Sequence, residues 1–253
     1  MDYFYCPQVT GSSFTIDGDE AAHLLHVMRK KDGDEICIVD GKGTAYDARI
    51  DRVAKHAASG AVLRAYPHHH EPALRLTLAV ALLKNPSKYD FLVEKVTELG
   101  VHDIIPLSTE RTIPTHDKVD RWQKLALAAM KQSGRSWLPV VHPVRSLREL
   151  LADSGAFDLR VIAHEQSVSD QAAPTFRGLA SAIALVGPEG GFSDAEVRAA
   201  QSQTGMSVEQ AQDYLTAKSD ALKTGDPEQG REKAMKQFLD EKSFKPGLGN
   251  FKR

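Results

Sequence analysis

The chain has 253 residues, 42% of them hydrophobic and 26% charged, with a formal net charge of -2. That is enough for one large domain or for a small one beside a medium one, and a charge near zero confines any nucleic-acid surface to a local patch. Cys6 and Cys37 are the only cysteines; lacking Cys-x-x-Cys spacing, they argue against a zinc site or a disulfide scaffold and suit a reducing cytosol. No apolar run approaches the length of a membrane span and the N-terminus lacks a signal-peptide core, so a soluble, cytoplasmic, metal-free protein is expected.

Met1 to about Tyr66 reads as a small β-rich unit. A short helix is expected over Asp19–Lys31, carrying Leu24, Leu25, Val27 and Met28, with a basic end (Arg29, Lys30, Lys31) and a stop at Asp32-Gly33. A basic helix end suits the helix dipole with no ligand at all; it also suits phosphate. Glu35–Asp40, the turn Gly41-Lys42-Gly43 and Thr44–Ile50 predict a hairpin. His68-His69-His70 has the composition of a metal site, but adjacent residues of an extended chain do not converge on one ion. With Pro67 and Pro72 around it, the run reads as a linker.

From Leu74 the texture changes to alternating strands and helices. Strands are expected over Leu74–Leu83, Val101–Leu107, Leu159–Ala163 and Ala182–Val186, and helices over Pro86–Leu99, Val119–Ser133 and Leu147–Ala152. Repeated β-α-β order implies a mostly parallel sheet. Trp122, Leu125, Ala126 and Ala129 recur at helical spacing, the pattern of a core face. The last strand runs into Gly187-Pro188-Glu189-Gly190-Gly191-Phe192-Ser193, and Ser193 with Glu196 has capping-box spacing for a further helix. There is no Gly-x-Gly-x-x-Gly, and no Lys-Ser/Thr follows the glycines as a phosphate loop requires. A glycine turn beyond the carboxyl end of a strand is where open α/β sheets bind ligands, though it also serves as a plain tight connection.

Six strings now stand in order: Val93–Gly100, Thr109–Thr112, Arg121-Trp122, Met130–Arg135, Ala163–Glu165 and Gly187–Ser193. With His23 to Arg29, Gly33-Asp34 and Asp40-Gly41 before them, they resemble the RsmE family of SPOUT-superfamily methyltransferases, which modify N3 of a uridine in 16S ribosomal RNA. The resemblance covers about residues 1–205. It implies an N-terminal PUA-like RNA-binding β-barrel (1–70) followed by a SPOUT-type, trefoil-knotted α/β domain (73–205). It also implies S-adenosyl-L-methionine as cofactor, small-subunit ribosomal RNA or the assembled subunit as partner, and a homodimer.

By the same resemblance, Gly187, Pro188, Glu189, Gly190 and Gly191 form one cofactor loop and Ala163, His164 and Glu165 a second. His23, Arg29, Lys30, Lys31 and Arg121 face RNA. Removing the N3 proton needs a carboxylate or a water relay, with Glu98 and Glu189 as candidates, and charge on the uracil oxygens needs a cation, Arg111 or Arg135. Each has a plainer reading. Glu98 with Lys95 is an ion pair at helical spacing, Glu110-Arg111 a surface pair, Arg135 a solvated helix-end arginine, and His164 a satisfied histidine.

The chain departs from the family after Gly205. The family's next strand and its Leu-Gly-x-Arg-Ile-Leu-Arg segment, which close the knot and supply a third cofactor loop and the dimer interface, are not found. Residues 206–253 read as a helical hairpin, capped at Ser207 with Gln210 and again at Asp226-Pro227. Asp226–Ser243 resembles the C-terminal helices of crotonase-fold hydratase-lyases. The domain is thus expected to be incomplete at its C-terminus, with a sheet edge left open unless the tail covers it, and reduced turnover. The alternatives are a non-catalytic RNA-binding protein and a protein that captures partners through its tail.

Overall fold

A computed structural model describes residues 2–114, 118–153, 157–164, 178–204 and 207–210. The N-terminal unit is a six-stranded sheet built from β1 (Tyr3–Tyr5), β2 (Val9–Thr10), β3 (Ser13–Asp17), β4 (Glu35–Val39), β5 (Thr44–Ala54) and β6 (Ala57–Pro67), in the order β1-β4-β5-β6-β3-β2. Phe4 on one edge and Phe14 near the other share a single core with Ile16, Leu24, Ile36, Ile38 and Ile50, so the sheet rolls around its apolar face. The expected hairpin is β4 with β5, in register from Glu35 opposite Arg49 to Val39 opposite Ala45.

The expected helix over Asp19–Lys31 is shorter. One α-helical turn, α1 (Gly18–Ala22), widens into a π-helical stretch over His23–Val27. Arg29 then takes a left-handed backbone (φ 54°), and the Lys30 N–H closes back on the Leu24 carbonyl at 3.1 Å. Leu24 is fully buried whereas Val27 is 65% exposed, so Val27 is not part of the core. Arg29, Lys30 and Lys31 lie on the turn after the helix, not on its last turn.

His68–His70 is not a free linker. His69 and His70 stack at 3.8 Å, the Tyr3 hydroxyl lies 3.0 Å from His69 Nε2, and His70 Nδ1 lies 3.0 Å from the Gly134 carbonyl. Val39, Ala45 and Met130 form a small core between the two units, joined by Tyr3, Tyr5, Leu127 and Leu138. Lys131 reaches Glu20 at 2.8 Å across the same junction.

The second unit is a sheet in the order β10-β8-β7-β12-β11-β13, every pair parallel, with β9 (Val140–Val141) beside β8. Its strands are β7 (Arg75–Ala81), β8 (Asp103–Ser108), β10 (Arg145–Ser146), β11 (Leu159–His164), β12 (Ser181–Val186) and β13 (Ser207–Gln210). Helices α2 (Pro86–Glu98) and α3 (Val119–Ser133) cover one face through Tyr89, Val93, Trp122 and Ala126. Helices α4 (Leu147–Asp153) and α5 (Asp194–Thr204) cover the other through Leu150, Leu151, Val197 and Ala200. The Trp122 face is therefore core, as its spacing predicts.

Ser207–Gln210 overturns one expectation. It is not a helix start but β13, parallel to β11 with Val161 opposite Ser207 and His164 opposite Gln210. Ser-x-x-Gln spacing suits a capping box, yet β11 offers an edge of unpaired main-chain groups, and pairing with it satisfies both segments. The tail thus covers the edge that would otherwise be open. The rest of the tail, residues 211–253, lies outside the described residues, as does Glu165.

Candidate active site

The site is built at the carboxyl end of β7. This strand has β8 on one side and β12 on the other, so the chain order reverses there, the position where parallel sheets open a ligand crevice. Three connections converge on it: Leu82–Asn85 after β7, Thr109–Pro114 after β8 and Gly187–Ser193 after β12.

Hydrogen bonds lock the three together. Glu189 Oε1 accepts the main-chain N–H of Lys84 at 3.0 Å, and Arg111 Nη1 donates to the Gly190 carbonyl at 2.6 Å. Glu196 Oε1 accepts the N–H of Glu110 at 2.8 Å, while its other oxygen accepts the N–H of Ser193 at 2.9 Å. Ser193 Oγ returns a bond from the N–H of Glu196 at 3.3 Å, so the capping box forms as its spacing predicts. Glu196 therefore caps α5 and ties it to the β8 loop; sequence reading finds only the first role, since the partner lies 86 positions away.

The glycines are not equivalent. A Cβ at Gly187 would sit 3.0 Å from main-chain atoms of Gly191 and Phe192, so any other residue there makes the turn give by a few tenths of an ångström. Gly191 is left-handed (φ 66°). At Gly190 a Cβ would meet nothing nearer than Arg111 Cδ at 3.5 Å, an ordinary contact, so nothing in the protein's own packing demands glycine there. Ala163 pairs with Val186 just before the turn, and His164 follows it.

Arg111, Ala163, His164 and Gly187–Gly191 are thus together. Glu98 is not. It ends the 13-residue α2, which begins beside the site and runs about 20 Å away from it, and it pairs with Lys95 at 2.7 Å. Arg135 is also excluded. Its side chain is 3% exposed, bound to the Glu71 carboxylate at 2.6 Å and to the Thr97 and Val101 carbonyls at 2.6 and 3.1 Å. It is a structural bolt between the units, not a solvated helix-end arginine. Glu71 also accepts the N–H groups of Ser136 and Trp137 at 2.9 and 2.8 Å, and no sequence signal marked it.

Arg121 is exposed at the first turn of α3, with both Nε and Nη2 on Asp90 at 3.1 and 2.7 Å. His23 and the Arg29–Lys31 turn lie on the N-terminal unit, where Lys30 Nζ donates to the Glu35 carbonyl at 3.4 Å. Among the described residues no helix is long and apolar enough to cross a membrane.

The architecture is a rolled β unit joined to a parallel α/β domain with a glycine turn at its switch point, and two family models place it among the RNA methyltransferases with a PUA domain. The family model for the RNA methyltransferase domain matches residues 70–218, and that for the RNA methyltransferase PUA domain matches residues 16–63. The first match runs past Gly205 through β13. Ribosomal RNA small subunit methyltransferase E of Bacillus subtilis is 31% identical over 207 residues, 77% of this chain and 80% of that protein. Its namesake from Synechocystis is 32% identical over 196 residues, 75% of this chain and 64% of that protein. The crystal structure of the Neisseria gonorrhoeae methyltransferase E, bound to S-adenosyl methionine, is 30% identical with a TM-score of 0.71, covering 83% of this chain and 88% of that one. The chain belongs to the ribosomal RNA small subunit methyltransferase E family. Nothing in these likenesses supports the hydratase-lyase resemblance of the tail.

Proposed function

We propose that this chain transfers a methyl group from S-adenosyl-L-methionine to N3 of a uridine in 16S ribosomal RNA. The observation that carries the reading is the glycine turn at the switch point, with Arg111 fastened to Gly190. Gly190 is exposed and Gly191 has open space where a Cβ would sit, so main chain of the turn is accessible to a ligand such as the adenosyl group. Ala163 and His164 flank the turn on the β11 side. When bound, S-adenosyl-L-methionine supplies a methyl group on a positively charged sulfur.

The remaining chemistry falls to side chains. Uracil N3 carries a proton at neutral pH, which must leave as the N3–C bond forms. With Glu98 at the far end of α2, Glu189 is the carboxylate in place; its bond to the Lys84 N–H fixes its orientation. Negative charge gathering on the uracil oxygens is met by Arg111, itself held by the Gly190 carbonyl. His23, Arg29, Lys30 and Lys31 on the N-terminal unit, and Arg121 on α3, contact the RNA backbone in this reading. In this reading the protein acts in the cytoplasm, and a homodimer is what its family implies. Reduced turnover, the expectation from the foreign sequence after Gly205, now rests on the third cofactor loop and the dimer segment, since β13 supplies a strand.

The test uses Gly190→Ala. Thermal unfolding is expected to stay within about 0.5 kcal/mol of the parent, while calorimetric affinity for S-adenosyl-L-methionine and methyl transfer to undermethylated small-subunit RNA both fall. Unchanged affinity would remove the turn from the cofactor site. No transfer by the parent chain, beside one carrying a family-type C-terminus after Gly205, would favour a non-catalytic RNA-binding protein.

A further inference from the structure

On the β7 side of the glycine turn lies a small open cleft lined by Leu82, Leu83, Lys84, Pro86, Pro114 and Lys118, with Tyr89 and Trp122 as its floor. The polar atoms of the floor are engaged elsewhere. The Tyr89 hydroxyl donates to the Val80 carbonyl at 3.3 Å, and Trp122 Nε1 donates to Asp90 at 3.1 Å. The two rings lie 4.4 Å apart and are 1% and 3% exposed, so the floor is tightly packed and keeps its polar atoms out of the cleft. The rim carries positive charge on exposed Lys84 and Lys118. Two carboxylates beside the cleft are already engaged: Asp90 holds Arg121, and Glu189 accepts the N–H of Lys84.

We infer that this cleft receives a nucleotide of the RNA substrate, its base against the apolar lining and its phosphates at Lys84 and Lys118. The inference rests on the methyltransferase reading above. Methyl transfer needs donor and acceptor on opposite faces of the moving group. The donor contacts assigned above lie toward β11, where Ala163 pairs with Val186, and the cleft lies on the opposite flank, toward β7. Continuity with the site is direct, since Lys84 lines the cleft and binds Glu189 of the glycine turn. The cleft's volume of about 80 Å³ is about half that of a cavity holding one benzene ring, and it opens to solvent, so a flat pyrimidine enters by one edge and is not enclosed. Carbon lining with a cationic rim is the chemistry that selects a base joined to a phosphate over a free anion or an apolar peptide.

The experiment compares the full chain with Lys84→Ala, Lys118→Ala and Pro114→Trp, the last filling the cleft from an outer loop. RNA binding is titrated against salt with a single-stranded fragment of small-subunit RNA, and S-adenosyl-L-methionine binding is followed separately by calorimetry. Each lysine variant is expected to reduce the salt slope by about 0.7 and RNA affinity by about tenfold. Pro114→Trp should weaken RNA binding without changing the salt slope, and all three should leave donor affinity and melting temperature as in the parent. A fall in donor affinity would assign the cleft to the donor, and unchanged RNA binding in all three variants would leave it without a ligand; either result overturns the inference. Because RNA binding is read without turnover, a chain that binds RNA through these residues but transfers no methyl group would sink the functional reading and not the cleft.

Discussion

Arg135 and Glu71 illustrate how a single pair can be mistaken for chemistry. Both side chains are nearly inaccessible, and the guanidinium spends its donors on one carboxylate and two main-chain carbonyls. Removing one partner of such a pair leaves the other charge buried and unpaired, at a cost of about 3–5 kcal/mol. Arg135→Ala is therefore expected to lose stability of that size in urea unfolding. A variant that keeps its stability but loses methyl transfer would return Arg135 to the active site. Gly187→Ala is the second expectation at this scale. Its new methyl group would press on the main chain of Gly191 and Phe192, so the turn must shift, and donor affinity should drop together with melting temperature.

Among the elements, α5 and the α2–α3 pair each depend on one carboxylate. Ser193→Ala removes one half of the α5 capping box, which costs about 1 kcal/mol and loosens the glycine turn just before it. The fall in melting temperature checks this. Asp90 bridges α2 to Arg121 and Trp122 of α3, and the hydrogen bonds and charge of Arg121 hold its carboxyl below the ordinary carboxylate range. A depressed carboxyl contributes stability that is complete above its unfolded-state value and is lost as pH falls through the folded one. Acid unfolding should therefore begin in the carboxylate range and be flatter in Asp90→Asn; an unchanged acid limb would show that the bridge adds nothing.

At the scale of the whole molecule, the two units are joined by polar groups as much as by the small core around Met130. His69 lies at that junction and His102 at the amino end of β8. Burial holds His69 below its ordinary value, helped by the neighbouring charge of His70. Burial acts the same way on His102, joined by the Arg135 charge. A histidine with a lowered folded-state value binds its proton more readily when unfolded, so its contribution is present above about 6.5 and is lost as pH falls below it. The melting temperature should drop between about pH 7.5 and about pH 5.5, and His69→Gln should reduce that drop. Equal losses in the parent and the variant would place the acid-sensitive contact elsewhere.

The parts of this protein that depend on short-range pattern were legible in the sequence. The alternation that gives β4 and β5, the buried runs that give β7, β8 and β12, the helical stripe of Trp122 and Ala126, and the Ser193–Glu196 cap all arise from residues within a few positions of one another. The glycine turn was legible too, because close approach and left-handed backbone admit few residue types. What tertiary structure decided is which of those residues meet. Glu98 and Glu189 looked alike as bases, but a helix that runs away from its strand end carries Glu98 to the far side of the domain. Arg135 looked solvated because its partner Glu71 lies 64 positions earlier, in a stretch that reads as linker. Ser207–Gln210 had the spacing of a helix cap and became a strand, since main-chain pairing is set by the edge a segment finds. Burial, pairing and direction belong to the assembled sheet, and no window of sequence contains them.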